Sequence, residues 1–238
     1  MTITAVIPVK QLANAKQRLS SFLSASDRAA LFSAMVRDVL TAVEACSLID
    51  QIIVVTNDLE VSELGKEYDA KIHPEPQRPG LIESVTEAAR DLSLAGVSTM
   101  VFLPGDVPLV SAEELESVLE GFGSSNEAEF LIVPAADLGG SNCVVCSPPD
   151  CITFGFGEDS FRRHLSIARE LGLNPTVMKL PGIGLDIDTP NDLRELAALI
   201  EQEEQDYSDY NTVRFLMTSG LLEQLVAGSR ESTDGRIL

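Results

Sequence analysis

Apolar residues along the chain form two alternating kinds of run. Short, near-continuous runs read as buried strands: Ile3–Pro8, Gln51–Thr56, Thr99–Leu103 and Phe130–Pro134. Between them, apolar residues recur at helical spacing. Leu31, Phe32, Met35, Val36, Val39, Leu40 and Val43 mark one face of a helix over Ser24–Ala45, and Ser24 with Asp27 resembles a capping box. Residues 59–68, 81–95 and 160–171 predict further helices, and Ser111, with Glu114 at the capping-box position, caps another that runs to Leu119. Ala70–His73 and Thr176–Leu180 read as short strands and Leu185–Asp188 as a strand end. Thr189-Pro190 opens a helix with Thr at the N-cap, Pro at the first position and Asp192 at the third. Between Pro134 and Ser160 lie a Gly-rich loop, a Cys/Pro stretch and Gly155–Gly157, with no strand assigned.

Strands that are apolar throughout must be covered on both faces. Their alternation with helices therefore predicts an α/β fold built on a doubly wound, mostly parallel sheet. One such domain accounts for residues 1–205. Residues 206–238 form a C-terminal extension, beginning in an acidic stretch in which five of the nine residues from Glu201 to Asp209 are acidic and none is basic. That stretch reads as a solvated helix end or linker. Val213–Val226 is apolar enough for a packing helix or a homodimer contact, and the end, from Ser229 on, reads as disordered.

Charge narrows the function. The chain of 238 residues carries 37 acidic and 17 basic residues, a net charge of −20. Such a surface repels polyphosphate backbones and anionic bilayers, so no nucleic acid and no membrane is expected as partner. No apolar stretch approaches the roughly 18 residues of a transmembrane helix, and the N-terminal segment has no secretory pattern, so a cytoplasmic protein is expected. Residues 1–26 run against the trend, with Lys10, Lys16 and Arg18 and no acid. A local positive segment in an acidic protein suggests a small anionic ligand.

In open parallel sheets, ligands bind beyond the carboxyl ends of the strands. Three unusual segments lie at such ends. The loop from Pro8-Val9-Lys10 to Lys16-Gln17-Arg18 offers backbone N–H groups and cations to phosphates. Asp106 ends a buried strand, fixed between Gly105 and the two prolines Pro104 and Pro108. Asp186 and Asp188, two apart in extended chain, face one side about 6–7 Å from each other. Like charges so close call for solvent or a cation, and carboxylate oxygens beside phosphates suit Mg²⁺.

The segments IPVKQLANAKQRLSSFLS, LPGDVPLV, DLGGSN, FGEDSFRRH and PGIGLDIDTPNDL, in that order across residues 3–197, resemble the 2-phospho-L-lactate and phosphoenolpyruvate guanylyltransferases of coenzyme F420 biosynthesis. The resemblance implies a nucleotidyltransferase (Rossmann-like) fold. It also implies transfer of GMP from GTP to a small phosphorylated acid, with release of pyrophosphate. By matching motif to motif, Asp106, Asp186 and Asp188 would hold Mg²⁺. Pro8, Val9, Lys10, Lys16 and Arg18 would bind the nucleotide, with Lys16, Arg18 and Asp106 catalytic. Ser141, Asn142, Gly157 and Ser160 would bind the acid. The chain departs from the family pattern in having Ser141 for a threonine, and Gly80-Leu81-Ile82 for a Gly-Leu-Asn stretch that bears on the choice of base.

Other readings stay open at this level: a sugar-phosphate or molybdopterin nucleotidyltransferase, a nucleotide-sugar glycosyltransferase using the Asp-x-Asp pair, or a nucleotide-binding module without turnover. Cys143, Cys146 and Cys151 are too few for a four-ligand structural zinc site and read as buried free thiols. His164, one turn beyond Ser160, reads as a helix-positioning residue rather than an acid–base catalyst.

Overall fold

The computed structural model describes residues 1–125, 127–202 and 206–234, with 228–234 as backbone alone. Seven strands form one sheet: β1 (Ile3–Pro8), β2 (Gln51–Val55), β3 (Lys71–His73), β4 (Thr99–Phe102), β5 (Glu129–Pro134), β6 (Ser141–Ser147) and β7 (Thr176–Val177). Their order is β3-β2-β1-β4-β6-β5-β7. β1, β2, β3 and β4 are mutually parallel, as are β5 and β7, while β6 runs antiparallel to both β4 and β5. The expected doubly wound, mostly parallel sheet is present.

The helices are α1 (Ala25–Ala45), α2 (Leu59–Lys66), α3 (Leu81–Leu94), α4 (Ala112–Leu119), α5 (Ser160–Glu170), α6 (Pro181–Gly184), α7 (Pro190–Glu201), α8 (Asn211–Thr218) and α9 (Leu221–Asp234). Period-two alternation along the strands sends neighbours into different cores. Ala5, Ile7, Val54 and Val101 pack with α1, α4 and α7 on one face. Val6, Ile53, Val55, Met100 and Phe102 pack with α3 and the Phe154–Phe156 segment on the other. Both faces are buried, which is why the strands carry no polar alternation.

Capping followed the sequence with one exception. Ser24 accepts from the Asp27 N–H, and Thr189 with Asp192 forms a reciprocal capping box. Ser111 accepts from the Glu114 N–H. The Glu114 carboxylate, however, does not return to Ser111; it accepts from the N–H groups of Gly182 and Ile183, both at 2.8 Å.

Two other expectations need correction. Leu185–Asp188 is extended but joins no strand; its one ladder-like bond runs from Ile187 N–H to the Asp106 carbonyl (3.0 Å). The stretch after the Gly-rich loop is a strand, β6, which sequence reading left unassigned. Its cysteines explain the omission, since Cys143 and Cys146 are fully buried and behave as small apolar residues.

Beyond the sheet, α8 packs on α1, and α9 on α7 and α8. Val213, Leu216, Leu221 and Leu225 are buried there, so the apolar face of 213–226 packs within the chain. Asp38 on α1 fixes the start of α8 by accepting from Asn211 N–H, Asn211 Nδ2 and Thr212 N–H at 2.6–2.9 Å. Of the end expected to be disordered, the backbone is helical to Asp234, and residues 235–238 lie outside the described residues, as do Glu203–Gln205 of the acidic stretch.

Candidate active site

β1, β2 and β4 all end at one edge of the sheet, and the loops that follow them converge there. Because β6 is antiparallel, it begins where they end: Phe102 pairs with Val144, so Ser141 and Asn142 lie at the same edge. One edge thus gathers the loops after β1, β2 and β4 and the start of β6.

The loop after β1 is tied down at several points. Leu12 and Leu19 are buried anchors, and the Leu12 N–H donates to Asp58 Oδ2 at 3.1 Å. Arg28, itself buried, donates from Nη1 to the Leu23 carbonyl (2.9 Å) and from Nε to that of Ala15 (3.4 Å). Between these ties Lys16 adopts a left-handed backbone, φ 51° and ψ 45°. A non-glycine residue held there stores about 1 kcal/mol or more, which the anchors must offset. The result aims its side chain inward: the chain is 4% exposed, with Nζ 5.5 Å from the centre of the Phe32 ring.

At the end of that side chain, Nζ meets Asp106 Oδ2 at 2.6 Å and Asp188 Oδ1 at 2.7 Å. Arg18, largely exposed, reaches the other oxygen of Asp188 at 3.4 Å. Burial works to lower the Lys16 pKa, but the charges and hydrogen bonds of Asp106 and Asp188 outweigh it and hold the pKa above the usual lysine range. The ammonium is firmly charged. Burial tends to raise the Asp188 pKa, yet Lys16 and Arg18 bring it below the carboxylate norm.

Asp186 is held differently. Its Oδ1 accepts from Asn142 Nδ2 at 3.0 Å, and the same amide group donates to the carbonyls of Ile183 (3.0 Å) and Gly184 (3.3 Å). Burial raises the Asp186 pKa; the nearby Asp106 and Asp188 add to the rise and the Asn142 bond opposes it. Among the described residues no three side chains form a ready-made metal cage. Asp106 and Asp188 converge on the Lys16 ammonium, and Asp186 stands beside them.

A cleft of about 640 Å³ opens from this cluster, walled by Pro8, Lys10, Lys16, Asp106 and Asp188 at one side and by Glu75, Leu81 and Ser84 at another. A smaller hollow of about 220 Å³ lies against Arg18, Asp186 and Asp188, so Asp188 borders both. Of the residues expected at the nucleotide, Pro8, Lys10 and Lys16 face the large cleft and Arg18 the smaller hollow. Val9 faces neither: its side chain is in the core and its N–H donates to the Val55 carbonyl at 3.0 Å.

The residues expected at the acid form a second group. Gly139 accepts from the Phe161 N–H (3.4 Å), docking the Gly-rich loop on the start of α5. There Ser160 Oγ donates to Ser141 Oγ (3.1 Å), which also meets His164 Nδ1 at 3.0 Å. Gly157, at φ +112°, turns the chain into α5 in a conformation that other residues rarely adopt. Asn142 belongs to the Asp186 support rather than to this trio.

Sequence reading missed Arg28 and Asp58, which position the loops, and named Glu114 only for its own helix. Asp58 carried a signal, since an Asp before a helix is a common N-cap; the partners of Arg28 and Glu114 had none.

The model of the family described as guanylyl transferase, CofC-like, matches residues 3–219. The chain belongs to this family. The match runs past residue 197, where the motif resemblance ended. A phosphoenolpyruvate guanylyltransferase of Conexibacter woesei is 34% identical over 200 residues, 84% of this chain and 89% of that protein. A 2-phospho-L-lactate guanylyltransferase of Methanothermobacter thermautotrophicus is 32% identical over 196 residues, 82% and 84% of the two chains. A crystal structure from Desulfovibrio desulfuricans, assigned as a nucleotide-diphospho-sugar transferase, superposes with a TM-score of 0.73 at 20% identity, covering 94% of this chain and 99% of that one. The fold of 4-diphosphocytidyl-2C-methyl-D-erythritol synthase is also shared, with a TM-score of 0.58 at 15% identity over 84% and 98% of the chains. The sugar-phosphate, molybdopterin and glycosyltransferase alternatives are not favoured by the guanylyltransferase relatives.

Proposed function

We propose that the protein transfers GMP from GTP to a phosphorylated three-carbon acid, releasing pyrophosphate, as a cytoplasmic step of coenzyme F420 biosynthesis. The acceptor is phosphoenolpyruvate, 2-phospho-L-lactate or 3-phospho-D-glycerate. The observation that carries this reading is the Lys16–Asp106–Asp188 cluster at the floor of a cleft large enough for a nucleotide, in a chain of the guanylyltransferase family.

The donor set fits Mg²⁺. Two carboxylates already share one cationic centre, and a third, Asp186, is neighboured by both and countered by no cation of its own among its hydrogen bonds. Asp106, Asp186 and Asp188 would hold the ion, which supplies neutralisation of phosphate charge when bound. The chain's own residues do the rest. The phosphate oxygen of the acid attacks the α-phosphorus of GTP in line; the new P–O bond forms as the bond to pyrophosphate breaks. That oxygen is already ionised, so no general base is needed. Lys16, once released from the aspartates, and Lys10 and Arg18 balance charge on the leaving pyrophosphate. Ser141 and Ser160, with the turn at Gly157, hold the acid, and Asn142 keeps Asp186 in place.

The test is pyrophosphate release by the purified protein with Mg²⁺ and GTP, with each of the three acids supplied separately. Release with one acid, abolished by removing Mg²⁺, is expected and names the acceptor. Binding of GTP without release for any acid overturns the acceptor assignment.

A further inference from the structure

We infer that His164 is a positioning residue that turns the hydroxyl proton of Ser141 outward, toward the carboxylate or phosphate of the acceptor acid. The inference rests on the reading above that Ser141 touches the acid, and it assigns a role to a buried imidazole that this reading leaves unused.

The tautomer of His164 follows from one backbone donor. The Gly155 N–H donates to His164 Nε2 at 2.9 Å, so that nitrogen carries no proton. A neutral imidazole has one N–H, which must then be on Nδ1. Nδ1 lies 3.0 Å from Ser141 Oγ and donates to it. Ser160 Oγ donates to the same oxygen at 3.1 Å. Both lone pairs of Ser141 are thereby filled, and neither neighbour can accept its proton. The Ser141 O–H is left to find an acceptor outside the trio. Of the three, Ser141 is the outermost, at 8% exposure against 3% for Ser160 and 0% for His164.

The ring is buried and packed among aromatic side chains. It stands edge-on to Phe156, centroids 4.9 Å apart at 73°, and near Phe154. Burial, and next the charge of Arg163, outweigh an interaction with the Ser160 backbone that raises the pKa, and push it down to about 4, so the ring is neutral at pH 7. A hydroxyl held with its proton outward is a donor prepared for an anion, at no further cost in orientation when the anion arrives. A threonine at position 141 would preserve the arrangement; an alanine would abolish it.

Two measurements test the inference. Proton-detected ¹⁵N spectra of the wild-type protein, labelled in histidine, should show His164 as the neutral Nδ1–H tautomer between pH 6 and 8; the Nε2–H tautomer or an imidazolium overturns it. Steady-state kinetics of Ser141→Ala, Ser141→Thr, His164→Phe and the Ser141→Ala/His164→Phe double variant give the second. His164→Phe keeps the aromatic packing and removes the donor. Ser141→Ala and His164→Phe should each raise KM for the acid about tenfold, leave KM for GTP unchanged, and combine to no more than either alone; Ser141→Thr should behave as wild type. An unchanged acid KM in Ser141→Ala overturns the acceptor-site reading itself. A raised acid KM in Ser141→Ala with a normal one in His164→Phe, or additive effects, overturns the positioning role alone.

Discussion

Lys16 Nζ lies 2.6 Å from Asp106 Oδ2 although the two residues are 90 positions apart. A lysine from the basic loop thus occupies the centre that the aspartates present to a cation. With Asp188 at 2.7 Å, one ammonium bridges two of the three carboxylates assigned to the metal. In the proposed reaction Asp106 and Asp188 would hold a divalent ion only if the Lys16 ammonium exchanged them for phosphate.

Lys16→Met leaves Asp106 without its cation and Asp188 with only the largely exposed Arg18, 3.4 Å away. Removing one partner of a buried pair costs about 3–5 kcal/mol. Asp106 and Asp188 keep 23% and 41% exposure, so solvent reduces this. A Tm lower by about 3–8 °C in metal-free buffer is expected. Millimolar Mg²⁺ should raise the Tm of the variant more than that of the wild type, because no ammonium competes for the site. Thermal denaturation across a Mg²⁺ titration measures this, and equal shifts in the two proteins would count against the exchange.

Asp106→Asn retains the shape of the site and the Lys16–Asp188 pair. It should lower kcat by roughly 10²–10³ or more while changing stability by less than about 1 kcal/mol. Turnover and urea denaturation of the same preparation check both halves; full turnover would remove Asp106 from the catalytic set.

Gly182→Ala probes the loop that carries Asp186 and Asp188. A Cβ at Gly182 would lie 2.2 Å from the Leu109 carbonyl oxygen and 2.6 Å from Glu114 Oε2. The backbone oxygen cannot yield as a flexible side chain would. A loss of about 1–3 kcal/mol in stability is expected, with a fall in kcat as the Asp186–Asp188 segment shifts. Denaturant titration and kcat would show it; a variant with normal values for both would mean that the segment relaxes freely.

Stability should fall with acid through His164. Its pKa goes from an ordinary 6.5 to about 4 in the folded protein. Between those values the unfolded chain binds a proton that the folded chain refuses. Acidification from about pH 6.5 to pH 4 therefore favours unfolding, by up to roughly 3 kcal/mol, and the effect levels off below the folded pKa. Carboxylates titrate in the same window, so the measurement is the difference between wild type and His164→Phe in denaturant titrations from pH 4 to 8. Parallel stability curves for the two would rule out a depressed His164 pKa.

By itself the sequence determined the local elements and the chemistry on offer. Continuous apolar runs and helical periodicity located strands and helices because burial on one or both faces imposes those periods. The caps at Ser24, Ser111 and Thr189 were legible because capping is a contact across three residues. Asp106 stood out because Gly and Pro neighbours fix it beyond a buried strand, and Asp186 and Asp188 because two acids two apart in extended chain share a side. Only the tertiary structure decided what those groups touch. The reversed direction of β6, which puts Ser141 and Asn142 at the ligand edge, depends on pairing with β4 some forty residues earlier in the chain, about the reach that no local pattern encodes. The Lys16 ammonium lies between carboxylates 90 and 172 positions away. Glu114 caps Gly182 and Ile183 rather than its own helix because the loop brought two unpaired N–H groups within 2.8 Å. Periodicity reports which face of an element is buried; the partner a buried charge or donor finds there is set by packing between distant segments.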